Sequence, residues 1–78
     1  SPEALYERQW ALSLIERILN RMHAEQQAIG KAAQFQQLKG FLTGDEDYRA
    51  AALALGMSEG TVRVAVHRLR RRYRDLLV

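Results

Sequence analysis

The sequence has no cysteine and a single proline, at Pro2. Without cysteine there is neither a disulfide frame nor a thiolate zinc site, so packing alone must hold the fold. Long apolar runs are missing as well. No segment approaches the roughly 20 residues that span a bilayer, and no charged-then-apolar leader opens the chain. A membrane role is therefore not expected, and a cytoplasmic location is. Glycine is scarce, with 5 residues at positions 30, 40, 44, 56 and 60. These breakers separate long stretches of good helix formers. No stretch alternates apolar and polar residues as a half-buried strand requires, so no sheet is expected.

What is present suits a small helical domain. At 78 residues the chain makes one domain, and such a domain buries only about 60% of the surface its unfolded chain exposes. It begins on Ser1 and stops on Leu77 and Val78 without a polar tail, as expected of a fragment of a larger protein. Pro2 and Glu3 suit the start of a first helix, which Gly30 ends. Ala11, Leu12, Ile15, Ile18, Leu19 and Met22 recur at spacings of three and four, an apolar face that should pack on the rest. Trp10 falls outside that stripe and reads as a half-buried edge residue, or as a contact for a domain outside this chain. The polar Gln26 and Gln27 offer no anchor, so fraying is expected before Gly30. His23 is expected at the surface.

A second helix is predicted from Lys31 to Leu42, with Phe35, Leu38, Phe41 and Leu42 at helical spacing, Gly40 as a weak point and Gly44 as its stop. This stripe reads as core rather than as a ligand groove. Asp45, Glu46 and Asp47 then stand where a third helix starts, favourable to the positive end of its dipole. They lack the alternating ligand spacing of a calcium loop, so no metal is assigned.

The third helix, Tyr48 to Leu55, is short and alanine-rich. It stops at Gly56, and Met57 and the capping Ser58 lead into a final helix. Ala52 is small enough for a close crossing, Gly56 tolerates positive φ, and Val62 anchors the far side. The pattern predicts an all-α, small four-helix domain with a C-terminal helix-turn-helix. Residues 1–44 supply a long amphipathic helix and a short second one, residues 45–78 supply the motif, and together they form one compact unit.

Charge is distributed unevenly. Residues 58–78 hold 6 basic and 2 acidic side chains, against 6 and 7 over residues 1–57, so an anionic partner is expected at the C-terminal end. On the final helix Val62, Val66, Leu69, Tyr73 and Leu76 share a narrow arc at about 100 degrees per residue. Gly60, Arg63, Val64, His67, Arg71 and Arg74 project from the opposite side. The N-terminal part of a recognition helix enters the major groove, so Glu59, Arg63, Val64 and His67 are the candidate base contacts. Arg68, Arg70, Arg71 and Arg72 suit phosphates, and Thr61 adds a hydroxyl for the same purpose.

Tyr48 to Leu77, 30 of the 78 residues, resembles region 4 of bacterial sigma factors of the extracytoplasmic-function group. The likeness rests on Leu55-Gly56-Met57-Ser58, on Gly60-Thr61-Val62, and on Arg68 and Arg70 in the basic run. Glu7 to Leu42 resembles the segment preceding that motif, less distinctively. Ala50 and Ala51 depart from the family's acidic and bulkier apolar residues, and Val64 from its more polar one. The resemblance implies a last helix docked in the major groove of the upstream, minus-35 promoter element, with the RNA polymerase flap touching other surfaces. It also implies an anti-sigma factor able to mask them. The promoter-melting region lies outside this chain, so binding without initiation is expected.

Two rival functions share these features. A response-regulator type output domain uses a similar turn and recognition helix and often dimerises. A protein-interaction module would use the basic helix on an acidic partner without touching DNA. An enzyme has little behind it: no nucleophile with a base, no phosphate loop and no metal cluster stand at workable spacings, so no catalytic residue and no cofactor are expected.

Overall fold

The computed structural model describes Ser1–Val78 as four α-helices without strands: α1 (Pro2–Ala28), α2 (Ala32–Leu38), α3 (Tyr48–Leu55) and α4 (Glu59–Leu77), with a 3-10 turn over Lys39–Leu42. No helix is long and apolar enough to cross a membrane.

Each boundary has a local cause. Ser1 Oγ accepts from the Ala4 amide and Pro2 occupies the first turn of α1. At the other end Gly30 adopts φ 76°, and the amides of Gly30 and Lys31 bond back to the Gln27 and Gln26 carbonyls. A left-handed glycine closing a helix in this way satisfies carbonyls that would otherwise be orphaned. Where fraying is expected around Gln26 and Gln27, α1 continues to Ala28, its last turn closed by these bonds and Gln26 half-buried.

The second predicted helix is divided. It is α-helical only to Leu38 and tightens to a 3-10 turn through Gly40. The Gly40 carbonyl accepts from the amides of both Thr43 and Asp45, which draws the following loop in. A Cβ on Gly40 would lie 2.0 Å from Asp45 Oδ2. Asp47 then caps α3, its Oδ1 accepting from the Ala50 amide at 3.0 Å.

Ten side chains form the buried core: Ile18 and Met22 from α1, Phe35 and Leu38 from α2, Phe41 from the 3-10 turn, Ala51 and Ala52 from α3, and Val62, Val66 and Leu69 from α4. Every element contributes, and α4 packs against α1, α3 and the 3-10 turn. The Phe35–Leu38–Phe41 stripe is core, as its spacing predicts.

The apolar stripe of α1 is used only in part. Residues 1–10 are exposed throughout, and Leu12 lines an open groove between α1 and α2 together with Ile15, Leu19 and Phe35. Leu14, absent from the predicted stripe, packs against the core instead. Trp10 is 65% exposed rather than half-buried. A helix of 27 residues is about 40 Å long, and α2 and α4, which pack on it, leave residues 1–10 uncovered. Its first turns therefore extend beyond the packed body, and the whole chain measures 46 Å along its longest axis.

Candidate nucleic-acid interface

The turn between α3 and α4 is three residues long. Gly56 sits at φ 64° and ψ 34°. The Gly56 and Met57 amides bond back to the Leu53 and Ala52 carbonyls, repeating the closure at the end of α1. Met57 packs against the core. Ser58 is extended and its Oγ accepts from the Thr61 amide at 3.1 Å, starting α4. Such a cap contributes about 1 kcal/mol, and Glu59 in the first turn complements the helix dipole.

With Val62, Val66 and Leu69 buried and Tyr73 and Leu76 packed against them, the outer face of α4 is fixed in rotation. The four candidate base contacts, Glu59, Arg63, Val64 and His67, are all exposed. Arg63, Val64 and His67 share that outer face with Arg71 and Arg74, which are exposed as well. Val64 is 51% exposed, an apolar contact available in the middle of the basic face.

The five residues chosen for phosphates divide by what holds them. Arg68 and Arg71 are exposed and pair with no carboxylate. Arg68 stands at the mouth of a small groove with Gln26, Ile29, Lys31 and Gln34, so α4's flank is continuous with the start of α2. Thr61 is exposed, and its hydroxyl hydrogen-bonds the Ser58 hydroxyl at 2.9 Å.

Arg70 and Arg72, expected among the phosphate contacts, serve the fold. Arg70 donates from Nε to the Phe41 carbonyl at 3.1 Å. Arg72 grips Glu25 with two hydrogen bonds, Nε to Oε1 at 2.9 Å and Nη2 to Oε2 at 2.6 Å. A paired fork of this kind is the strong form of an arginine–carboxylate contact. It ties α4 to α1 across 47 residues of sequence, and Arg21 adds a bond to the same carboxylate at 3.3 Å.

The Arg72 guanidinium holds the Glu25 carboxyl below the usual carboxylate range, with Arg21 assisting, and Glu25 in turn raises the pKa of Arg72. A lowered carboxylate pKa stabilises the fold at neutral pH, and that contribution disappears as pH falls through the lowered value. Arg72→Ala is accordingly expected to lower the thermal midpoint at pH 7. The difference between variant and parent should shrink toward zero in acid, once Glu25 is protonated. Melts followed by circular dichroism at pH 7 and at successively lower pH check this. A difference equally large in acid would show that packing of the arginine stem, not the ion pair, is responsible.

Two aromatic contacts were not legible in the sequence. His23, expected at the surface, is half-buried and stacks on Phe35 with ring centroids 6.0 Å apart. Tyr48 stacks on Phe41 at 4.8 Å, and the Arg63 guanidinium carbon lies 4.1 Å from the centre of the Tyr48 ring. No group of three or more His, Asp or Glu side chains converges to hold a metal ion. No family model matches the chain, and no curated protein or solved structure shows significant similarity to it.

Proposed function

We propose that the chain is a helix-turn-helix module that binds duplex DNA through the outer face of α4. One observation carries this reading. Of the six arginines on α4, only Arg72 is paired with a carboxylate, while Arg63, Arg68, Arg71 and Arg74 stand exposed on a helix capped and rotated by the turn before it. A solvated helix face ordinarily intersperses charges of both signs. Here Glu59 and Asp75, near its two ends, are its only acidic residues.

A major groove admits a helix of this length, with residues from its first turns at the base edges and later cations on phosphates. Arg63 and His67 offer donors to bases, and Val64 offers apolar contact to a thymine methyl. With a single helix and few phosphate contacts, affinity is weak and salt-sensitive, in the region of about 10⁻⁴ to 10⁻⁶ M for unselected duplex at physiological salt.

Through the resemblance of Tyr48–Leu77 to region 4 of extracytoplasmic-function sigma factors, we extend the proposal to the minus-35 element of a promoter in the cytoplasm. On that reading the RNA polymerase flap is the protein partner and an anti-sigma factor is the competitor.

Backbone amide shifts of the chain titrated with a short duplex at low salt test the interface. Perturbations are expected to concentrate between Ser58 and Arg71 and at the start of α3, leaving Leu5 to Leu12 silent. Perturbations confined to α1, or none at all, would overturn the proposal.

A further inference from the structure

We propose that Tyr48 is a shelf that holds Arg63 in its base-reading position, so that a residue of α3 sets the sequence preference of α4. The inference rests on the DNA-binding reading above and adds to it a positioning residue outside the recognition helix.

Three contacts in series make the shelf. Phe41 is buried, 4% exposed, and its backbone carbonyl is held by Arg70 Nε. The Tyr48 ring stacks on Phe41 with centroids 4.8 Å apart and planes inclined by 27°. Arg63 covers Tyr48, its guanidinium carbon 4.1 Å from the ring centre. Tyr48 itself is fixed at the first position of α3, directly after the capping Asp47. The stack thus runs from the core outward and ends on an arginine whose side chain makes no hydrogen bond or ion pair within the protein.

A free arginine side chain has considerable rotamer entropy to lose when it binds. A guanidinium engaged through its face on an aromatic ring has lost much of that freedom already, while the N–H donors at its edge remain available. Those donors match the O6 and N7 acceptors of guanine in the major groove. The ring therefore prepays part of the ordering and restricts the directions in which Arg63 can reach. Val64 and His67, which have no such support, can adapt to more than one base.

The test uses selection from a randomised duplex pool with the parent chain, Arg63→Ala, Tyr48→Phe and Tyr48→Leu, alongside side-chain proton spectra of Arg63 without DNA. Arg63→Ala identifies the base pair that Arg63 reads, expected to be a guanine. Tyr48→Phe keeps the ring and should keep the preference. Tyr48→Leu keeps apolar cover over Phe41 and should weaken the preference at that one position by about two- to fivefold, leaving the others unchanged.

In the free protein the Arg63 methylene protons should be shifted by the ring in the parent and in Tyr48→Phe, and should return toward free-arginine values in Tyr48→Leu. Unshifted methylene protons in the parent would overturn the shelf without reference to DNA. A shift lost in Tyr48→Leu with the guanine preference intact would show that the contact exists and does not set specificity, which also overturns the proposal. An intact shift in a chain that binds no duplex even at low salt would instead remove the DNA-binding reading, and the proposal with it.

Discussion

Phe35→Ala is expected to leave the chain largely unfolded or close to it at room temperature. Phe35 is among the largest fully buried side chains, 1% exposed, in a core of only ten residues. It lies where α2 meets α1 and carries the stack of His23. Truncating a buried phenylalanine costs about 3–5 kcal/mol. A 78-residue domain has roughly 4–12 kcal/mol in total, taking 0.05–0.15 per residue. With no disulfide to restrain the unfolded state and a core of only ten residues, the domain belongs to the lower part of that range, where little remains after the substitution. Urea unfolding followed by circular dichroism should show a loss of at least about 3 kcal/mol, or no folded baseline. Trp10→Ala is the control: its ring is 65% exposed, and the change should stay within about 0.5 kcal/mol. Equal losses from the two would mean that the exposed start of α1 is packed in solution.

The second large effect is electrostatic. Each phosphate contact made by a cation releases counterions, so the slope of log affinity against log salt reports how many contacts form. Arg68 and Arg71 are exposed without a carboxylate partner, whereas Arg72 is held by Glu25. Replacing Arg68 and Arg71 together by alanine should therefore make the slope shallower by about 2 and weaken binding to all sequences alike. Arg72→Ala removes the same formal charge as either single change, yet should leave the slope nearly untouched and lower stability instead. A slope reduced by Arg72→Ala as much as by Arg71→Ala would show that the Glu25 pair opens when DNA binds.

Much of the fold was legible because its signals are local. Ser58, Asp47, Gly30 and Gly56 act through their own dihedral angles or through an amide three residues away, and they put the ends of α1, α3 and α4 within a residue or two of where they stand. The buried arc of α4 followed from helical periodicity. What periodicity does not contain is the area available to cover a stripe. Leu12 repeats as a core residue might, but it only edges the groove between α1 and α2 and stays 59% exposed. The tightening at Gly40 depends on Asp45 folding back against it, a contact made by a loop rather than by a helix.

The candidate site divides in the same way. Exposure of Glu59, Arg63, Val64 and His67 follows from the position of Val62 on one helix. The distinction between Arg71 and Arg72 does not, because it is made by Glu25, 47 residues away on α1. At about 100 degrees per residue Arg72, nine residues after Arg63, falls on the side of α4 away from it, which is as far as one helix can indicate. In the sequence Tyr48 marks only the start of α3 and of the stretch that resembles region 4. An aromatic ring at a helix start, 15 residues before an arginine, has no local signature until the turn at Gly56 brings the two helices together.

Selection of binding sequences from a randomised duplex pool, at low and at moderate salt, tests most directly whether the outer face of α4 reads DNA. We expect a short, non-palindromic motif containing at least one strongly preferred guanine, bound by a chain whose affinity falls steeply with salt. No binding even at low salt would contradict it, and would leave the basic face of α4 to an acidic protein partner.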